Sequence, residues 1–334
     1  MLCIDNLSRP AARENLKWIL ESRPEFMESF TFAYVDVRHQ HELETALKQH
    51  VNINGRPELM IHEAAQVAVT HSVSMPRADF EINALGTFNV LEAVRSICPE
   101  TTLIFASTNK VYGCLKDVQT RETPTRYEFQ TFRKGVSVSQ PLDCHSPYGC
   151  SKGAADQYVR DYARIYNLRT IVFRQSCIYG LRQFGQEDQG WVSWFVIAAV
   201  LRNKTTIYGT GKQLRDLLWV DDLVEAYWKA WRGRVRGGEV FNIGGGPENT
   251  LSLLELVSIL KELEPSFAMP QMAEWRPGDQ QVFVSDIAQL QEFLNWNPTV
   301  PPYEGVMKLW HWVKSNKAEI EAMIGVPNHA AVSA

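Results

Sequence analysis

The sequence predicts an α/β fold, a doubly wound parallel sheet followed by a smaller C-terminal lobe. Two features of the 334 residues predict it. Up to Gly180, short apolar runs alternate with amphipathic stretches, the βαβα rhythm of a parallel sheet covered on both faces. After Gly180 that rhythm gives way to segments rich in Gly, Pro and Trp around Gly209, Gly244-Gly245-Gly246 and Trp275 to Gly278.

In chain order, Leu2-Cys3-Ile4 reads as a strand ending at Asp5, and Ala11 to Glu21 as a helix with Leu16, Ile19 and Leu20 on one face. Thr31 to Val37 is β-like, His41 to His50 helical, and Leu59-Met60-Ile61 a short buried strand. Ala78 to Ile97 reads as one long amphipathic helix and Thr101 to Ala106 as a β-branched, apolar strand. A helix over Tyr148 to Tyr166 and a strand over Thr170 to Phe173 complete this part. Later helices are expected at Trp191 to Leu201, Leu251 to Leu263, Asp286 to Leu294 and about Tyr303 to Lys317. Residues 1–180 are read as a dinucleotide-binding domain and 181–320 as mainly a substrate lobe, from which a strand at 239–243 returns to the sheet. Residues 321–334 are read as a tail, frayed after Pro327.

Composition narrows the function. Net charge is −4 with Lys and Arg dispersed, which disfavours a nucleic-acid or membrane-surface partner. No apolar run reaches the roughly 18 residues of a membrane span, and Asp5 and Arg9 interrupt any signal peptide. The six cysteines form no C-x-x-C pair or zinc spacing and read as reduced thiols of a cytoplasmic protein, with no metal.

Three Tyr-x-x-x-Lys pairs occur: Tyr112/Lys116, Tyr148/Lys152 and Tyr208/Lys212. Context separates them. Gly113 puts the first in a loop, and a Gly-x-Gly turn follows Tyr208. Only Tyr148 and Lys152 begin a long helix, where i and i+4 share a face. Ser146-Pro147 fits the start of that helix, with Ser as cap and Pro in the first turn. A phenol titrates near 10, and lowering it toward 7 needs roughly 4 kcal/mol favouring phenolate. A Lys ammonium one turn away and a positively charged nicotinamide ring together could supply that. The phenolate then takes a hydroxyl proton as hydride leaves the same carbon. An exposed Tyr beside a solvated Lys is the bland alternative, and position relative to Leu103 to Thr108 weighs against it. That strand ends in two hydroxyls, where parallel strands face a ligand crevice.

With Thr108 ahead of Tyr148 and Lys152, the sequence resembles the extended short-chain dehydrogenase/reductases, whose triad is Ser/Thr, Tyr and Lys. The resemblance implies that Thr108 hydrogen-bonds the sugar hydroxyl or ketone. The 4,6-dehydratases of this family carry an acid just after the catalytic Thr; Asn109 and Lys110 stand there, which favours epimerisation over elimination. Several stretches are similar to the CDP-paratose 2-epimerase (CDP-tyvelose 2-epimerase) subgroup: Asp5 to Arg9, His145 to Asp156, Gln189-Gly190-Trp191, Gly211 to Asp216 and Phe241 to Gly245. That resemblance implies C2 inversion of a CDP-dideoxyhexose with tightly held NAD, a place in O-antigen synthesis, and dimers or tetramers through the long helices at Ala78 and Tyr148.

It also implies individual contacts. Asp5 would accept hydrogen bonds from the adenosine ribose, with Asn6, Ser8 and Arg9 near it, and Asp36 and Val37 would flank the adenine. Ala64, Ala65 and Gln66 would meet the cofactor's ribose and diphosphate region, with Asn83 behind them. Tyr148 and Lys152 would bind the nicotinamide ribose, and Gln175 and Ser176 would approach the nicotinamide. The family often has His in place of Gln175. Thr108, Asn109, Gln189, Trp191, Arg215 and Arg276 are the substrate candidates. The two guanidiniums would take the diphosphate and nucleotide ribose. Trp191 reads equally well as core.

The family's Gly-rich turn precedes its ribose-binding acid by about 20 residues. Here that acid is residue 5, and no Gly-x-Gly-x-x-Gly occurs anywhere. The expectation is a truncated start, from a misplaced start codon or partial gene model, lacking about 30 residues that hold the first strand, the turn and the first helix. Because that strand is central in a doubly wound sheet, either a gap between the Leu2 and Leu59 strands or their direct pairing is expected, with weak or absent NAD binding. A dehydratase, a 4-epimerase and a non-catalytic binding protein remain the alternatives.

Overall fold

The computed structural model describes residues 1–9, 11–233, 235–276 and 278–324. Strand β1 (Leu2–Asp5), helix α1 (Ala12–Ser22), β2 (Thr31–Tyr34) and α2 (Gln40–Asn54) come first. After β3 (Leu59–His62) follow α3 (Val69–Ser74) and α4 (Pro76–Phe80), a π-helical turn over Glu81–Leu85, and α5 (Gly86–Ile97). The expected uninterrupted helix from Ala78 to Ile97 is therefore opened by the π turn, where Asn83 turns back to hydrogen-bond Gln66.

Next are β4 (Thr102–Thr108), the short strands β5 (Thr120–Glu122) and β6 (Tyr127–Phe129), α6 (Ser146–Tyr166), β7 (Thr170–Gln175), β8 (Cys177–Tyr179) and α7 (Trp191–Leu201). The C-terminal third adds β9 (Thr206–Tyr208), β10 (Leu214–Trp219), α8 (Val220–Arg232), β11 (Glu239–Ile243), β12 (Thr250–Ser252) and α9 (Leu253–Leu263). It closes with β13 (Gln271–Ala273), β14 (Val282–Phe283), α10 (Ala288–Leu294), α11 (Pro302–Ser315) and α12 (Lys317–Ile324). Residues 321–324 thus belong to a helix rather than a tail, and 325–334 lie outside the described residues.

The main sheet is parallel, in the order β11-β7-β4-β3. The returning strand has the bounds the sequence predicts and pairs Ile243 with Gln175. Among the described residues β1 pairs only with β2, also in parallel, as a separate sheet. Of the two outcomes expected at this point, the gap is the one found: β1 and β3 do not pair.

The two sheets are joined through one face. Val35, Leu43 and Leu47 from the β1–β2 side share an apolar cluster with Val90, Leu91 and Val94 of α5, Leu103 and Phe105 of β4, and Val159 of α6. Helix α1 buries none of its residues. It is tethered by Arg182, whose Nε donates to Asn15 Oδ1 at 2.9 Å and whose guanidinium lies 4.7 Å from the Trp18 ring. Over the strand ends, β10 pairs with β8, β12 and β14, backed by an apolar cluster of α7, α9 and α11. No described helix is long and apolar enough to cross a membrane.

Candidate active site

The site forms where β4, β7 and α6 meet. β4 is buried throughout and ends at Thr108. Gly113 then turns the chain at φ +67°, and a Cβ there would collide with the carbonyl of Asp143. The turn leads toward α6. His145 occupies the cap position of α6, yet Ser146 makes the capping bond, accepting from the Gly149 N–H at 3.2 Å; Pro147 sits in the first turn.

Both members of the pair are buried, Tyr148 at 8% and Lys152 at 3% exposure. Burial pushes the Tyr148 phenol up to about 12, with the Thr108 hydrogen bond pulling down and the Asp79 charge pushing further up. Burial brings Lys152 down to about 8, opposed by the charges of Glu63, Asp156 and Asp79. Its ammonium lies 4.3 Å from the Phe105 ring centre. Beneath the pair, Arg174 clasps Asp156 with two bonds of 2.9 Å, and Ser107 Oγ donates to the same carboxylate at 2.8 Å. His62 is driven down to about 3 by burial and the Lys152 charge, so it is neutral at neutral pH.

Asp5 ends β1 and accepts from the Leu7 N–H. Asn6 Nδ2 donates to Asp36 Oδ2 at 2.8 Å, and Asn6 Oδ1 accepts from the Ser8 N–H. Burial opposes ionisation of Asp36, but bonds from Arg38 and Asn6 hold it down to about 2. The Val37 carbonyl accepts from Asn89. Arg9 reaches across to Gln189 Oε1 at 3.1 Å, joining a cofactor candidate to a substrate candidate.

Ala64 and Ala65 lie in the loop after β3. Asn83 holds the next residue, exchanging bonds of 3.0 and 2.9 Å with the Gln66 main chain. Asp79 Oδ1 accepts from both Gln66 and Asn83, while Asp79 Oδ2 is buried without a partner among the described residues. Gln175 Nε2 donates to the Tyr227 hydroxyl at 2.6 Å. The Ser176 hydroxyl instead turns to Asp216 on β10, which ties it to the second sheet.

On the substrate side, Thr108 Oγ1 accepts from the Lys110 N–H and donates to Asn109 Oδ1, each at 3.3 Å. Asn109 Nδ2 reaches Gln280. Arg215 Nη2 donates to Asp279 Oδ1 at 2.9 Å, and Lys110 Nζ lies 4.0 Å from the same oxygen. Two cations thus face one carboxylate; burial and Arg215 bring the Lys110 amine down to about 8. Arg276 stacks 3.9 Å from the Tyr208 ring centre and donates to the Glu187 carbonyl. Trp191 packs against the lobe's apolar cluster, its indole N–H on Cys177 Sγ at 3.3 Å, as a core residue would.

Sequence reasoning missed Glu63, Asp79, Asp156, Tyr227, Asp279 and Gln280. Glu63 and Asp79 flank the strand end and helix of the expected cofactor side, so a search for charge near Gln66 would have found them. Asp156 stands one turn after Lys152 on α6, where its spacing could have marked it. Tyr227, Asp279 and Gln280 lie far along the chain from their partners and carry no local signal.

A protein-family model described as GDP-mannose 4,6 dehydratase matches residues 1–309. CDP-paratose 2-epimerase of Salmonella typhi is 42% identical over 325 residues, covering 94% of this chain and 92% of its own. A crystal structure of UDP-glucose 4-epimerase from Thermotoga maritima with UDP-glucose superposes with a TM-score of 0.78 at 27% identity, covering 95% of this chain and 91% of that one. The Thermus thermophilus UDP-glucose 4-epimerase in complex with NAD gives 0.74 at 28% identity, covering 93% and 90%. The strand-end hydroxyl, the helical Tyr-Lys pair and these matches agree: the chain belongs to the GDP-mannose 4,6 dehydratase family of the extended short-chain dehydrogenase/reductases.

Proposed function

We propose that this protein is a nucleotide-sugar epimerase that interconverts CDP-paratose and CDP-tyvelose by transient oxidation at C2, using NAD. The observation that carries the proposal is the convergence of Thr108 and Tyr148, with Lys152 one helical turn further on, in a buried site at the end of β4. The relative 42% identical over nearly the whole chain supports the choice of sugar.

Both ends of a dinucleotide have counterparts. Asp5, Asn6 and Asp36 would hold the adenosine end, with Ser8, Arg9 and Val37 beside them. Tyr148, Lys152 and Gln175 would hold the nicotinamide end, and Ala64 to Gln66 the stretch between. The buried Lys152 ammonium, which makes no hydrogen bond to the described residues, fits a ribose hydroxyl. When bound, NAD supplies the hydride acceptor and returns the hydride. Thr108 orients the sugar hydroxyl, and Tyr148 takes its proton. A positive charge beside the phenol is what offsets the burial that holds Tyr148 near 12. Tyr148 then returns the proton once the keto sugar has presented its other face. Arg215 and Lys110, sharing Asp279, leave positive charge for a diphosphate, and Arg276 on Tyr208 offers a second cation.

Residues 1–180 would serve the cofactor and 181–320 mainly the substrate. A homodimer would form through α5 and α6, where Tyr158, Ile165 and Tyr166 are exposed beside Phe80 and Leu85. Equilibrium sedimentation of the intact chain checks this, and a monomer at micromolar concentration would refute it.

The reaction is tested by incubating CDP-paratose with the protein and millimolar NAD and following CDP-tyvelose by NMR. Failure to form it sinks the proposal, and a 4-keto-6-deoxy product would show a dehydratase instead. Asn109, bonded to Gln280 rather than replaced by an acid, favours the epimerase. Since the Gly-x-Gly-x-x-Gly turn is absent from the 334 residues and β1 is unpaired toward β3, calorimetry with NAD is expected to give a dissociation constant above the micromolar range.

A further inference from the structure

Where the turn after β4 meets the start of α6, a thiol and an imidazole touch outside the Thr108, Tyr148 and Lys152 site. Gly113 lies against Asp143 with φ +67°, and the next residue, Cys114, reaches the cap residue of α6. Cys114 Sγ and His145 Nδ1 are 2.7 Å apart. His145 is exposed and Cys114 half-buried, so solvent reaches the contact. The backbone beside each partner is held in an uncommon shape: Leu115 and Ser146 have φ of +51° and +66°. Residues with side chains keep such angles only where their surroundings fix them, at a cost of about 1–3 kcal/mol each.

The other five cysteines are arranged differently. Burial pushes the thiols of Cys3, Cys98, Cys144 and Cys177 up. Cys177 Sγ accepts the Trp191 N–H, while Cys144 and Cys150 turn their thiols to the Val111 and Cys144 carbonyls. Among the described residues only Cys114 has an imidazole in hydrogen-bonding contact. A thiol reacts as its thiolate, so a half-open sulfur with a base in contact is built as a nucleophile. The helix adds to this. His145 is the cap residue of the 21-residue α6, whose positive pole favours a thiolate beside it.

We propose that Cys114 is a site of oxidative modification by hydroperoxides, with His145 as its base. His145 Nδ1 takes the thiol proton, and the sulfur attacks the terminal peroxide oxygen. An S–O bond forms as the O–O bond breaks, and the sulfur gives two electrons to the peroxide. The proton on His145 passes to the departing oxygen, which leaves as water or an alcohol. The products are a sulfenic acid at Cys114 and a neutral imidazole. The site borders the substrate side: the Gly113 carbonyl accepts from Gln280, which also accepts from Asn109. An oxygen added at Cys114 therefore lies one residue from the carbonyl that anchors Gln280.

The test uses the full chain and is independent of the proposed epimerisation. After brief exposure to hydrogen peroxide, sulfenic acids are trapped with dimedone, and labelling of each cysteine peptide is followed by mass spectrometry. A free thiol is only a few per cent thiolate at pH 7, so a base in contact should raise the rate about tenfold. Cys114 is therefore expected to be labelled about tenfold faster than Cys3 and Cys144, which are also half-buried but have no imidazole in contact among the described residues. His145→Gln changes an exposed side chain and leaves the Ser146 cap of α6 in place. It is expected to slow Cys114 about tenfold while Cys150, on the same helix, keeps its rate. Labelling of Cys114 no faster than Cys3 and Cys144, or at one rate with and without the imidazole, would overturn the proposal. Should His145→Gln fail to fold, the ranking within the unaltered chain decides.

Discussion

Every residue of β4 from Thr102 to Thr108 is buried, while none of the four residues of β1 is. Both are parallel strands, but β4 has a partner on each side and β1 has β2 alone among the described residues. The contrast extends to β3, the facing edge of the main sheet, where Ile61 is 45% exposed. The proposed roles fall on either side of it. Thr108, Tyr148 and Lys152, proposed to meet the reacting atoms, stand on elements locked from two faces. Asp5 and Asp36, proposed for the adenosine end, lie at the end of β1 and just beyond β2, a pair held mainly through α2. Local opening is expected to follow this division, with β1 amides exchanging with solvent well before those of β4.

Tyr148→Phe should give the largest effect, a loss of about 10²–10⁴ in kcat with little change in unfolding free energy. If stability fell as far as activity, the locked half would be serving structure rather than chemistry. Asp156→Ala should follow, costing about 3–5 kcal/mol in denaturant unfolding because it strands a buried Arg174 charge. Next comes a matched pair of truncations. Ile171→Ala in β7 should cost about 2–5 kcal/mol, whereas Ile4→Ala in β1 should cost less than about 1.5 kcal/mol. Equal costs would erase the distinction between the two sheets.

One further expected change has the opposite sign. Lys152 is buried with its folded pKa near 8, below the reference 10.5, so its charged form opposes folding. That cost is fully present below pH 8 and fades as pH rises from about 8 to 10.5. Lys152→Met should therefore raise stability by about 1–3 kcal/mol at pH 7 while abolishing activity, and the gain should vanish above about pH 10.5. Thermal unfolding across that range checks it.

Much of the locked half was legible in the sequence. The long helix over Tyr148 to Tyr166, the helix at Trp191 to Leu201 and the strand at 239–243 stand where their apolar periodicity and boundary residues place them. The strand-end position of Thr108 followed from the β-branched run before it. Contacts made across long loops were not legible. Arg215 finds Asp279 and Glu63 finds Tyr227 only after the second sheet has formed. The pairs β5–β6 and β9–β13 are three residues long per strand, too short for alternation to register. Residues 321–324, expected as part of the tail, close the helix at Lys317–Ile324, where Ala, Glu and Met favour a helix.

The π turn at Glu81–Leu85 carries one more consequence, for the lengths the chain can tolerate. The wide turn takes up one residue more than a regular helix, so removing one there would close it into an α-helix and leave the face after it in place, whereas a deletion inside α5 would swing everything after it by about 100°. In the second case Val90, Leu91 and Val94 would leave the cluster that joins the two sheets. A deletion scan through this helix should therefore be sharper in the regular turns of α5 than at the π turn, where the loss is that of the Asn83 hold on Gln66.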